Sequence, residues 1–66
     1  MYTVIALDAY GSVKTRTLAP TIRQAYYRAM RLRTWRAATV RIETETGPVA
    51  TWMRRTLLGV TRWRRR

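Results

Sequence analysis

The order of hydrophobic periods along the chain predicts a small α+β fold, ββαββ. It would be a four-stranded antiparallel sheet with one amphipathic helix on one face and a basic C-terminal tail. Three observations carry this. Two pairs of β-branched segments are punctuated by Gly turns, one stretch of 3.6-residue periodicity lies between them, and the last residues are almost all Arg. With 66 residues there is room for one thin-cored domain. It is expected over residues 1–54, with 55–66 as an Arg/Trp tail, helical or disordered.

Tyr2-Thr3-Val4-Ile5-Ala6-Leu7 is apolar and β-branched with little alternation. It reads as a strand central in a sheet or covered on both faces. Asp8-Ala9-Tyr10-Gly11 is a turn, with Asp at its first position and Gly at its last. Ser12 to Thr17 then alternates: Val13, Thr15 and Thr17 on one face, Lys14 and Arg16 on the other. The two segments form a hairpin.

Pro20 stops that strand, and Thr21-Ile22-Arg23-Gln24 has the form of a capping box. At 100° per residue, Ile22, Ala25, Tyr26, Ala29 and Leu32 make the inner stripe. Arg23, Gln24, Tyr27, Arg28, Arg31 and Thr34 face away, with Trp35 beside them. Arg33 and Arg36 rotate back toward the stripe. Either the helix ends near Thr34 or their stems lie along the sheet.

Thr39 to Thr46 alternates again, with Val40 and Ile42 opposite Arg41, Glu43 and Glu45. Gly47-Pro48 is a turn signal, and Val49 to Met53 reads as the fourth strand. A helical reading competes, starting at Pro48, with Val49, Trp52, Met53 and Leu57 as its stripe and Gly59 as its C-cap. The strand is preferred because Thr44 to Val49 looks like a hairpin loop between two β-branched runs. With one helix, the other sheet face is left for solvent or a partner. That face is expected to carry Lys14, Arg16, Arg41, Glu43, Glu45, Trp52 and Arg54.

Charge narrows the function. Fourteen basic residues, all Arg except Lys14, stand against Asp8, Glu43 and Glu45, for a formal charge of +11. Such self-repulsion costs stability unless a polyanion or acidic partner neutralises it. A GC-rich genome favours Arg over Lys, and a bacteriophage accessory protein from such a host would look similar. That origin does not explain the scarcity of acids, whose codons it also supplies.

Catalysis has few candidates. The chain has no Cys and no His, which removes thiolate sites, the commonest metal ligand and the commonest general base. Gly11, Gly47 and Gly59 are isolated, so there is no phosphate loop. Glu43 and Glu45 share a strand face, where pairing with Lys14, Arg16 or Arg41 is the simplest role. No catalytic residue, metal, cofactor or small-molecule substrate is expected.

Three basic surfaces remain. The outer helix face offers Arg23, Tyr27, Arg28, Arg31 and Trp35, at spacings that can follow a phosphate backbone. The open sheet face offers Lys14, Arg16 and Arg41, opposed by two Glu. The tail offers Arg54, Arg55, Arg62, Arg64, Arg65 and Arg66, with Leu57, Leu58, Val60 and Trp63 interleaved.

The expectation is a non-enzymatic nucleic-acid-binding protein, favouring DNA over RNA and held mainly by phosphate contacts. Two alternatives stand beside it. One is an interaction module for an acidic protein, anchored by Trp35, Trp52 and Trp63. The other is a membrane-surface binder. A homodimer through an edge of the N-terminal strand is a further expectation. Met1 to Leu7 lacks the basic start and cleavage site of a signal peptide, and no apolar run reaches bilayer length. The expected location is cytoplasmic, at the nucleoid if DNA is bound.

Overall fold

A computed structural model describes residues 1–33 and 37–66. In chain order the elements are β1 (Tyr2–Leu7), β2 (Val13–Ala19), α1 (Ile22–Leu32), β3 (Thr39–Thr44), β4 (Gly47–Leu57) and β5 (Val60–Arg65). All strand pairings are antiparallel, in the order β2-β1-β3-β4-β5. The α+β class holds, but the sheet has five strands where four were expected. Residues 55–57 complete β4, and β5 lies wholly within the stretch expected as a tail. The strand reading of residues 49–57 holds over the helical one.

Local chemistry explains each junction. In the β1–β2 turn the Asp8 carboxylate accepts the N–H groups of Tyr10 and Ser12, both at 2.9 Å, and Gly11 takes φ 83°. The Ser12 N–H, helped by Tyr10, the Lys14 charge and Gly11, holds that carboxyl below its ordinary range. Thr21 caps α1, its Oγ1 accepting the Gln24 N–H at 3.2 Å. Between β4 and β5 the two-residue turn Leu58-Gly59 has φ 54° and 77°. Positive φ at both positions is the type I′ geometry that matches strand twist. For Leu58 it costs about 1–2 kcal/mol.

The core lies between α1 and the sheet. Ala25 and Ala29 are fully buried and let the helix approach β1, β2 and β3 closely. Val4, Val40 and Ile42 are the largest fully buried side chains beneath it. Tyr26 and Leu32 pack at its margin as the helical period predicts, whereas Ile22 is exposed. Ile5 is also buried, on the opposite face. Its register partners there are Arg16 and Arg41.

Two expectations are corrected. Trp52 does not face outward. It is buried on the helix side, edge-on to Tyr26 with ring centroids 5.5 Å apart. The cause is a register shift after Ile42: Glu43 pairs with Pro48 but Ile42 pairs with Ala50. The extra residue, Val49, flips the parity of β4, so Trp52 and then Arg54 point to the helix side. Secondly, β1 has no open edge, because it is bonded to β2 and β3. The sheet edges are β2 and β5.

Candidate functional site

The last pair joining β3 to β4 is Thr39–Met53. Beyond it, β4 and β5 continue as a two-stranded arm with four rungs: Arg54–Trp63, Arg55–Arg62, Thr56–Thr61 and Leu57–Val60. At about 3.4 Å per residue the arm extends about 14 Å past β3. The molecule is correspondingly long, 38 × 21 × 18 Å. Its radius of gyration is 11.5 Å, slightly above the roughly 10.8 Å of a compact chain of this length.

The base of the arm is fixed. The Arg54 N–H donates to the Ala38 carbonyl and the Arg66 N–H to the Thr51 carbonyl, both at 2.8 Å. Arg65 donates to the Tyr26 hydroxyl at 2.8 Å. Its guanidinium also lies 5.5 Å from the Tyr26 ring centroid and 5.9 Å from that of Trp52. Arg33, the helix C-cap, sits 5.2 Å from the Trp52 ring. Cations against aromatic faces tie arm, helix and sheet together. Trp63 is half-buried against the core margin, so it acts first as packing.

Further out, the electrostatics change. Arg55 and Arg62 are directly opposite in register and share a face, with Arg64 diagonal to them on that face. Like charges in this relation repel. Residues 46–66 contain no Asp or Glu to offset them. The Thr56 and Thr61 hydroxyls hydrogen-bond at 3.1 Å and hold the next rung. At the tip Leu57, Leu58 and Val60 are exposed, Leu58 at 95%. An anion lying along this face would relieve the repulsion and meet Arg forks suited to phosphate.

The outer helix face forms a second basic region. Gln24, Tyr27, Arg28 and Arg31 line an open groove of about 560 Å³ against Thr15 and Thr17 of β2. Arg28 donates to the Thr17 hydroxyl at 3.3 Å, and the Arg31 guanidinium lies 5.9 Å from the Tyr27 ring. Arg23 is exposed on the first turn. Trp35, expected beside them, lies outside the described residues. The groove and the arm stand at opposite edges of the sheet.

The open sheet face is the least basic of the three. Arg41 pairs with Glu43 two residues on. Arg16 sits in a shallow depression with Glu43 and Glu45. Lys14 lies at the β1–β2 irregularity, close enough to act on Asp8. Among the described residues no cluster of three or more His, Cys, Asp or Glu is placed to hold a metal. No helix among them is long and apolar enough to cross a membrane.

The arm itself was missed at the sequence level. Its signal is a mirror of residue types about Leu58-Gly59: Arg55 and Arg62, Thr56 and Thr61, Leu57 and Val60. The matched flanks are the whole of that signal, since Leu-Gly is not among the Asn-Gly, Asp-Gly or Gly-Gly loops that mark a hairpin. Comparison with models of protein families, with curated proteins and with solved structures gave no match.

Proposed function

We propose that this chain is a non-enzymatic nucleic-acid-binding protein that favours duplex DNA and binds chiefly through phosphate contacts. One observation carries the reading. Arg55, Arg62 and Arg64 are packed on one face of a projecting ribbon that has no acid of its own. The protein bears the cost of that arrangement when alone, and a phosphate backbone removes it.

The arm supplies most contacts and the helix groove fewer, since Arg28 and Arg31 already have partners in Thr17 and Tyr27. The acidic-protein reading draws less support, because Trp52 is buried and Trp63 half-buried, leaving little of either as an anchor. The test is fluorescence anisotropy of the nuclease-treated protein with labelled duplex DNA, single-stranded DNA and RNA at rising salt. Duplex DNA should bind tightest. Each neutralised phosphate adds about 0.9 to the log–log salt slope. Affinity independent of salt would overturn the reading.

A further inference from the structure

The tip of the arm poses a separate question. Leu58 is 95% exposed and takes φ 54°. It therefore has neither packing nor backbone preference to justify it. A type I′ turn before Gly59 is best served by Asn or Asp. Leu57 and Val60, also exposed, make the rung beneath it, and the Arg55–Arg62 pair lies two rungs further in. An apolar point is thus mounted on a cationic shaft.

We propose that the β4–β5 arm enters the minor groove of duplex DNA and that Leu58 wedges between base pairs, bending the duplex. This rests on the DNA-binding reading above and adds the mode of engagement. Apolar wedges that part a base step from the minor groove are an established way to bend DNA, and Arg is drawn to that groove's negative potential. The number of apolar side chains favours a base step over a lipid surface. A base step takes one apolar side chain, and the tip carries three, Leu57, Leu58 and Val60, few for the broad apolar face of an interfacial segment.

The experiment uses the full chain with a short duplex carrying a donor and an acceptor at its ends and 2-aminopurine within. Wild-type protein should raise energy transfer, reporting a bend of about 20–90°, and brighten 2-aminopurine as a step unstacks. Netropsin, a minor-groove ligand, should compete. Leu58→Asn suits the turn better than Leu does, so the variant should melt at or above the wild-type temperature by circular dichroism. It should bind with the same salt slope but lose both the bend and the brightening. Leu58→Gly, equally at ease at positive φ, should behave alike and serves if the Asn variant misfolds.

Salt-dependent binding without bending by the wild type, or bending retained in both variants, would overturn the wedge and leave the DNA-binding reading intact. No duplex binding even at low salt would overturn both. Wild-type binding to phosphatidylserine vesicles that is lost in Leu58→Asn, with DNA bending unchanged, would assign the tip to lipid and overturn the wedge.

Discussion

The part of the sheet under α1 and the β4–β5 arm are built from the same kind of antiparallel strand, yet they balance charge and apolar surface in opposite ways. Under the helix, alternation sends Val4, Val40 and Ile42 inward to a dry core. On the outward face there, Arg41 has Glu43. Along the arm, Arg55 faces Arg62 with no acid between residues 46 and 66, and the apolar residues cluster at the tip. One region is arranged for its own stability. The other holds like-charge repulsion and exposed apolar surface that nothing else in the arm offsets. Trp52, Tyr26, Arg33 and Arg65 form the joint between them.

The joint is where the contrast breaks most sharply. Trp52→Ala should cost about 3–5 kcal/mol in urea denaturation, because it empties the seat of Tyr26, Arg33 and Arg65. Leu57→Ala at the tip should cost under about 0.5 kcal/mol in the same assay, since nothing there is buried. A loss at Leu57 as large as at Trp52 would mean the tip is packed in solution. Thr21→Ala, which removes the α1 cap, should cost about 1 kcal/mol.

Smaller still, and opposite in sign, is the double change Arg55→Ala with Arg62→Ala. Removing a like-charged cross-strand pair should raise stability by about 0.2–1 kcal/mol. The gain should shrink as salt screens the charges. A salt-independent loss would show instead that the Arg stems hold the arm together. The mildest test concerns Asp8. Its folded carboxyl titrates below the ordinary value of 3.8. Its contribution is therefore fully present above that pH and is lost as pH falls through the folded value. Asp8→Asn should flatten the stability curve below pH 3.8 and leave its shape from pH 5 to 8 unchanged.

Much of the fold was legible because local chemistry and tertiary packing agreed. The Asp8–Gly11 turn, the Thr21 cap and the Ala25/Ala29 stripe are each written in the residues that perform them. The rest depended on pairing that periodicity does not encode. One inserted residue in the β3–β4 register moved Trp52 from the expected open face to the core. Leu58 hid the β4–β5 turn, because a Leu at positive φ is not a turn signal. The basic surfaces were legible as composition. Their division was not: Arg65 was committed to Tyr26 by the fold, whereas Arg55 and Arg62 were set against each other by strand register.

Duplex DNA binding across salt for two matched variants separates the arm, proposed as the principal phosphate-binding surface, from the helix groove, proposed as the secondary one. One carries Arg55, Arg62 and Arg64 changed to Ala, the other Arg23, Arg28 and Arg31 changed to Ala. The arm variant should lose about 2.7 from the salt slope, three phosphate contacts at about 0.9 each, and the helix variant less than about 1. Equal losses, or a larger loss from the helix variant, would show that the arm is not the principal surface.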